Sequence, residues 1–187
     1  MSHRFIAPAL VILLLCISVP AAGDGAKTKP NGNPYRTAKV GDFAVYKTFT
    51  AKGKGFATTT KKTVAAMDGT SVKLKITRTA GFKSIESELT IDLTKPYDIP
   101  ISHPFIKQGK FAKTGQGTEK IKVAGKEYNA NWIAGKYTGK GLKGTALTSQ
   151  IKVWFSKDAP LDGLLRMKVG LVDGSVTTEL SKSGTAK

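Results

Sequence analysis

Residues 72–89 read VKLKITRTAGFKSIESEL, and this stretch decides the fold because two alternating segments flank a turn signal. Alternation of apolar and polar residues is the period of a β-strand with one buried face. A two-residue turn at Ala80-Gly81 pairs the segments so that apolar residues share one face and opposite charges share the other. The predicted partners are Val72 with Leu89, Lys73 with Glu88, Lys75 with Glu86, and Ile76 with Ile85. The stretch therefore predicts an antiparallel hairpin.

Three further hairpins follow from short, turn-forming connections. Asp-Gly is a strong signal for a type I′ turn, and glycine also marks bulges. The predicted partners are Leu171 with Val176 across Asp173-Gly174, Val123 with Tyr128 across Gly125-Lys126, and Val64 with Leu74 across a bulged three-residue loop near Asp68-Gly69. Successive hairpins favour neighbouring strands that run antiparallel.

The alternation extends over most of the chain from Phe43 onward. It includes the strand-like segments 43–49, 56–67 and 147–156. We predict an all-β, mainly antiparallel fold. Its core element is one strongly curved up-and-down sheet, a half-barrel or barrel of about nine strands, with at most one or two short helices. A sheet of this size must curl, close or be covered, because open edges invite aggregation.

Two segments interrupt the alternation. Thr94–Pro104 contains three prolines and is predicted to be a loop that crosses from one half of the sheet to the other. Pro104–Lys113 is the segment that fits a short helix best.

The N-terminus has the three zones of a signal peptide. Arg4 is a short positive region, Phe5–Val19 is apolar, and residues 20–23 (PAAG) include the small residues that a signal peptidase needs. The apolar run is short for a membrane span, and an uncleaved anchor is the alternative. Cys16 follows three leucines, where a lipidated cysteine needs small residues, so we interpret it as an ordinary apolar residue of the signal. We expect an exported chain, periplasmic or extracellular.

This interpretation divides the chain into a signal peptide (1–23), a flexible leader (24–34) and a single β domain (35–187). The leader is polar, contains glycine and proline, and has no periodicity. No cysteine remains after cleavage. The domain must therefore be stabilised by its core alone, and a chain of this size buries roughly 70% of its unfolded surface.

The net charge of +17 predicts attraction to anionic partners such as an anionic envelope surface. All basic residues except Arg4, Arg36, Arg78 and Arg166 are lysines, and they are spread along the chain. Specific recognition of bases favours the arginine fork. We therefore expect no specific nucleic-acid partner, and a solvated lysine surface is the alternative to a polyanion-binding one. The sequence leaves the oligomeric state open.

Few residues remain that could carry catalysis or hold a metal. His103 is the only histidine after cleavage, and no Gly-x-Ser-x-Gly elbow is present. Zinc, copper and iron sites need several imidazole or thiolate ligands, and a serine hydrolase needs a placed base. The sequence predicts no catalytic residue, no metal and no cofactor, and hence a non-enzymatic protein. A deep polar pocket with clustered carboxylates would favour an enzyme instead.

Three motifs each have a functional and a structural interpretation. Glu86 and Glu88 have the spacing of an inverting glycosidase pair, but the predicted register places lysines opposite them, which favours surface ion pairs. Residues 139–144 (GKGLKG) match a dinucleotide fingerprint, but a β pattern follows where a helix should, which favours a hairpin loop. Several aromatic residues lie among lysines, which suits either a single-strand nucleic-acid platform or core packing. They are Tyr128, Trp132, Tyr137, Trp154 and Phe155.

The curved sheet is predicted to present one concave apolar face. Its members are Val72, Leu74, Ile76, Leu89, Ile91, Val153, Phe155, Met167, Val169 and Leu171. Such a face is either filled by its own side chains or leaves room for an apolar ligand. The candidate ligand-binding residues are Leu74, Ile76, Leu89, Trp132, Val153, Phe155, Met167 and Val169.

Residues 152–168 (KVWFSKDAPLDGLLRMK), together with 125–128 (GKEY), resemble a pattern of exported bacterial proteins. The layout of a Trp-x-Ser strand, a Pro/Gly turn and a basic strand is similar to the LolA/LppX-like lipoprotein-carrier group. The resemblance covers 40–180 in layout and 125–168 in motif. It implies a curved antiparallel sheet that holds lipid or acyl chains on its concave side. The group packs helices into that concavity, and this sequence offers little helix.

Three hypotheses about function follow. The first is a non-enzymatic binding protein with a lipid or other apolar ligand. The second is a basic protein that binds polyanions or the envelope surface. The third is a structural interaction module without a small ligand.

Overall fold

The structure, a computed structural model, describes residues 32–51, 57–97, 106–141, 144–171 and 174–186. These residues form one 3-10 turn and nine strands. The turn spans Pro34–Thr37, and the strands are β1 (Asp42–Thr50), β2 (Thr58–Met67), β3 (Ser71–Ala80), β4 (Lys83–Asp92), β5 (Ile106–Val123), β6 (Lys126–Gly141), β7 (Ala146–Phe155), β8 (Leu164–Leu171) and β9 (Gly174–Thr185). The all-β prediction is confirmed. No helix in this part of the chain is long and apolar enough to cross a bilayer.

All nine strands belong to one curved, open antiparallel sheet with the order β4-β3-β2-β1-β9-β8-β7-β6-β5. Strand β1 lies near the middle of the sheet, and from it the chain runs outward by hairpins to β4 at one edge. It resumes at β5 on the opposite edge and returns by hairpins to β9, which pairs with β1. The sheet is therefore two meanders joined at β1 and β9. Residues 94–97 lie outside the strands, and the rest of the predicted crossing loop lies outside the described residues.

The short helix predicted for Pro104–Lys113 is wrong from Ile106 onward, because these residues open strand β5. Phe111 pairs with Tyr137 of β6 along a ladder that continues to Val123. Pairing with β6 gives this segment long-range hydrogen bonds along a ladder, whereas an isolated helix of so few turns is only marginally stable. Register irregularities fall between Ile106 and Gly109 and between Lys113 and Gly115.

The hairpin registers match the sequence in one of the four cases. Val64 pairs with Leu74, as predicted, with an irregularity before Ala66. The other three hairpins are shifted by two residues and pair Leu74 with Leu89, Ile121 with Tyr128, and Val169 with Val176. At the first of these, Gly81 has a φ of +57° and opens the turn; at the second, Ala124 and Gly125 have φ of +50° and +77°. Glycine in the first central position is typical of a type II′ turn, and two positive φ values are typical of type I′.

The buried apolar residues form two clusters. The larger, here called the major cluster, unites buried residues of β1–β3 and β5–β9 with the segments around them. It contains Tyr35, Ala44, Tyr46, Val64, Val72, Leu74, Ile76, Leu93, Ile121, Val123, Tyr128, Ala130, Trp154, Ala159, Leu161, Leu165 and Leu180. The minor cluster is centred on Ile151, Val153 and Val169. The prediction of one shared apolar face is therefore wrong.

The reason lies in β7 and β8. Val153 and Trp154 are consecutive, so their side chains point to opposite faces of the strand, and each enters a different cluster. A register irregularity follows at once, between Trp154 and Phe155. A bulge bends a strand and redirects its side chains, which simple alternation does not anticipate.

Candidate functional site

The minor cluster is an apolar surface that is only half covered. Ile151, Val153 and Val169 are each 1% exposed, and partly exposed apolar side chains pack around them. These are Phe111, Tyr137, Leu164, Met167 and Leu171. The surface follows four adjacent strands, β5 to β8. It offers contact area to an apolar molecule without any unfolding.

Glycines make room for the rings of this surface. A Cβ built on Gly135 would lie 2.5 Å from the ring of Phe111, and one built on Gly109 would lie 2.0 Å from the ring of Tyr137. Real Cβ atoms do not approach so closely, so each ring occupies the space that a side chain at the facing glycine would fill. The ring positions therefore require glycine at 109 and 135.

The predicted ligand-binding residues divide between the two clusters. Val153, Met167 and Val169 come together in the minor cluster. Leu74 and Ile76 are 0% and 1% exposed in the major cluster, and Leu89 and Trp132 pack against it. Phe155 is half-buried and pairs with Leu164. Val153 and Val169 are each 1% exposed, so a ligand would reach the minor cluster through Met167 and its other partly exposed members.

The connection between β7 and β8 crosses the sheet. We call residues 156–163 the strap. Strands β7 and β8 are neighbours, yet strap residue Asp162 contacts Tyr46 of β1 and Lys62 of β2. Loops normally lie on the surface, but Ser156, Ala159, Leu161 and Asp162 are at most 9% exposed. The strap therefore covers part of the major cluster.

Asp162 is the anchor of the strap. Its Oδ1 accepts a 2.7 Å hydrogen bond from the Tyr46 hydroxyl, and its Oδ2 accepts one from the Lys62 ammonium. The side chain of Asp162 is 1% exposed and that of Lys62 is 17% exposed. Burial, and then the negative charge of Asp162, raise the pKa of Tyr46 well above its ordinary value. The phenol stays a donor over the whole physiological range.

Leu161 holds a backbone conformation that is uncommon for its type. Its φ is +55°, and the turn around it closes with a 3.2 Å bond from the Gly163 amide to the Pro160 carbonyl. A non-glycine residue with positive φ costs of order 1–3 kcal/mol and persists only where its surroundings enforce it. Here the enforcing contacts are the burial of Leu161 in the major cluster and the anchor at Asp162.

A second set of charged side chains, Lys152 and Glu119, contacts the two tryptophans. The ammonium of Lys152 lies 4.3 Å from the ring centroid of Trp132 and 4.6 Å from that of Trp154. Glu119 accepts hydrogen bonds from the Trp154 indole and from Lys152, and these bonds lower the pKa of the Glu119 carboxyl. A Cβ on Gly117 would lie 2.9 Å from the Trp132 ring. The Trp132 ring is thus enclosed by Gly117 on β5 and by Lys152.

The burial of the aromatic residues bears on their two interpretations, core packing and a platform for bases. Trp154 is 8% and Tyr128 is 6% exposed, both within the major cluster, and Trp132 packs against that cluster. Bases stack on exposed ring faces. Tyr128 and Trp132 therefore pack as the core-packing interpretation predicts.

The glutamate pair and the glycine-rich segment have structural roles. Glu88 pairs with Lys73 at 2.7 Å, and Glu86 pairs with Lys75 at 2.9 Å, all with side chains about half exposed. Lys140 pairs with Ala146 across the glycine-rich segment, and strand β7 follows it. Both expectations, surface ion pairs and a hairpin connection, are confirmed.

Metal-ligating side chains do not gather anywhere in the part of the chain that the structure describes. His103 lies outside the described residues. Sequence reasoning missed the trio of Tyr46, Lys62 and Asp162. The only sequence signal was Asp162-Gly163, which also fits an ordinary turn, and no spacing rule joins positions a hundred residues apart.

Comparison with known proteins supports the fold and goes no further. No protein-family model matches the chain, and no curated protein matches it in sequence. A solved structure from Parabacteroides distasonis, described as a "putative lipoprotein", is similar with a TM-score of 0.52 at 13% identity, over 78% of this chain and 96% of that one. The sheet is therefore a known fold.

Two further structures are similar at lower scores. The hypothetical protein CT021 from Chlamydia trachomatis has a TM-score of 0.42 at 11% identity, over 82% of this chain and 92% of that one. LprF from Mycobacterium bovis has a TM-score of 0.32 at 13% identity, over 78% and 87%. At these scores neither adds to the assignment, and membership of the lipoprotein-carrier group stays a prediction.

Proposed function

We propose that this chain is an exported, non-enzymatic binding protein that holds a lipid or another apolar ligand on the minor cluster. The observation that carries the proposal is the half-covered apolar surface around Ile151, Val153 and Val169. Contiguous exposed apolar surface on a protein marks an interaction site. Each buried methylene of a ligand would contribute roughly 0.8 kcal/mol there.

Two features support export and an envelope role. Residues 1–23 have the zones of a signal peptide. The fold is shared with a protein described as a "putative lipoprotein". N-terminal sequencing of the protein recovered from cytoplasmic, periplasmic and culture fractions tests this, and a chain that begins at Met1 and is confined to the cytoplasmic fraction would contradict export.

The binding proposal is tested with N-phenyl-1-naphthylamine, a neutral apolar dye that fluoresces in apolar sites. We expect saturable binding to the chain from residue 24 onward. Met167→Gln places a polar amide in the minor cluster and should weaken binding several-fold. Ile85→Gln changes an apolar residue that is 51% exposed on β4 and is the matched control.

Native mass spectrometry of protein purified from its own envelope supplies the second readout. Co-purified lipid that is lost in Met167→Gln and retained in Ile85→Gln supports the proposal. A ligand-free mass together with no saturable dye binding overturns it.

A basic surface supports a second candidate function, binding to polyanions or to the anionic envelope surface. Lys61 of β2 and Lys182 of β9 both pair with Val45, so they flank it on one face, about 10 Å apart. Both lysines are exposed, and Lys47 lies two positions further along that face. Such binding should weaken steeply with salt.

The test is retention on heparin at low salt. Lys61→Gln with Lys182→Gln should elute earlier than Lys83→Gln with Lys140→Gln, which removes the same charge from exposed sites elsewhere. Equal elution of the two double variants would show a general charge effect, and no retention at low salt would remove this candidate.

A further inference from the structure

We infer that Asp162 occupies the headgroup site of an anionic amphiphile, and that the strap (156–163) is displaced when a ligand carboxylate or phosphate replaces it at Lys62 and Tyr46. This inference rests on the proposed function and names the ligand class and the entry to the site. It concerns a region of the sheet that the minor cluster does not include.

The chemistry of the trio sets the class of ligand. Lys62 and the raised-pKa phenol of Tyr46 both donate, and Asp162 accepts from both. A group that replaces Asp162 must accept two hydrogen bonds and balance a cation, as a carboxylate or phosphate does. An alcohol or an amide balances no charge. The site therefore favours an anionic headgroup over a neutral one.

Access to the trio does not need unfolding of the sheet. Lys62 keeps 17% of its side chain exposed, so the trio is not completely closed off from solvent. A solvent-open groove of about 290 Å³ lies along one flank of the strap. Its walls are strap residues Lys157, Ala159, Pro160 and Leu161, the segment from Pro34 to Ala38, the start of β1 and the end of β9.

The strap contains a residue whose backbone conformation costs free energy. Leu161 has a φ of +55°, and its side chain packs into the major cluster beside Ala159. Release of Asp162 removes one of the two constraints that enforce this conformation. Strap displacement would then uncover apolar side chains next to Lys62 and Tyr46, where an acyl chain can follow its headgroup.

Leu164 gives the two apolar clusters a common border. It follows the strap directly and packs against both the major and the minor cluster. Movement of the strap must act on Leu164 through Gly163, whose amide is bonded to Pro160. A chain that enters under the strap therefore reaches the same residue that borders the minor cluster.

The experiment compares oleate with oleyl alcohol, which share a tail and differ in the headgroup, by isothermal titration calorimetry below their aggregation concentrations. Asp162→Asn weakens the internal competitor, so oleate affinity should rise about fivefold to tenfold. Oleyl alcohol should change much less. Asp162→Asn with Lys62→Met leaves no buried charge at the trio, and it should abolish the preference for oleate.

A variant that loosens the strap without touching the trio guards against a general loosening of the fold. Leu161→Gly truncates a side chain that is buried in the major cluster, so the protein should melt lower, whereas oleate should keep its advantage over oleyl alcohol because Lys62 and Tyr46 are unchanged. Equal affinity of the wild type for oleate and oleyl alcohol, with no shift in any strap variant, overturns the inference. If Met167→Gln still lowers dye binding in that case, the proposed function stands; if nothing apolar binds to any variant, both fail.

Discussion

The hydroxyl of Tyr46 donates a 2.7 Å hydrogen bond to the carboxylate of Asp162, which lies 116 positions later in the chain. The bond joins the central strand β1 to the strap. Both partners are at most 2% exposed, so neither has water as a substitute partner.

Tyr46→Phe is therefore expected to destabilise the protein by about 1–3 kcal/mol, since it leaves a buried carboxylate with one donor fewer. Urea unfolding followed by tryptophan fluorescence measures the loss. The double variant with Asp162→Asn closes a thermodynamic cycle, and a coupling energy near zero would contradict a direct Tyr46–Asp162 interaction.

Gly117→Ala is expected to destabilise the sheet by about 1–3 kcal/mol, because the new methyl would meet the Trp132 ring at 2.9 Å. Gly115→Ala on the same strand is the matched control, since its Cβ would lie at an ordinary 3.4 Å from the same ring. Thermal unfolding and the near-ultraviolet circular dichroism of Trp132 are the measurements. Equal losses for the two variants would show that ring contact does not set the cost.

The sequence was sufficient for the strands, apart from the start of β5, but for only one of the four hairpin registers. A shift of two residues keeps every side chain on its face, so the apolar alternation of β3 and β4 fits both the predicted and the observed pairing. The ion pairs do not discriminate either: Lys73–Glu88 and Lys75–Glu86 form in the observed register as diagonal contacts, although they were predicted as directly opposite pairs. The choice rests on the turn, where Gly81 takes the first position.

The candidate site was less accessible to sequence reasoning. Val153, Met167 and Val169 were found because alternation places them on one face, and the structure brings them together. Alternation could not show that Leu74 and Ile76 belong to a different cluster from Val153. Register irregularities in the strands between them change which residues share a face of the sheet. The strap anchor depends on a contact between Lys62 and Asp162 that no local pattern encodes.

Leu74→Ala is expected to cost about 2–5 kcal/mol, the usual loss when a fully buried leucine is truncated. Leu74 is 0% exposed in the major cluster. Phe82→Ala removes a larger side chain from the β3–β4 turn, where the ring is fully exposed, and should change stability by less than about 0.5 kcal/mol. Denaturant unfolding compares the two. A small loss for Leu74→Ala would mean that the major cluster is loosely packed.

Asp68 is expected to make stability fall at low pH. Its carboxylate accepts hydrogen bonds from the hydroxyl and amide of Ser71 and from those of Thr70, and these bonds lower its pKa to about 2. An unfolded aspartate has a pKa of about 3.9. Because the folded pKa is the lower one, the stabilisation is fully present above about pH 4 and is lost as the pH falls through about 2.

Carboxyl-carbon NMR titration should therefore place the Asp68 midpoint near 2, and urea midpoints of the wild type and Asp68→Asn should converge as the pH falls from 4 to 2. Ser71→Ala removes the hydroxyl bond that contributes most to the lowering. It should raise the Asp68 midpoint toward the unfolded value. An unchanged midpoint in Ser71→Ala would show that the two amides and the Thr70 hydroxyl, without the Ser71 hydroxyl, hold the carboxylate ionised.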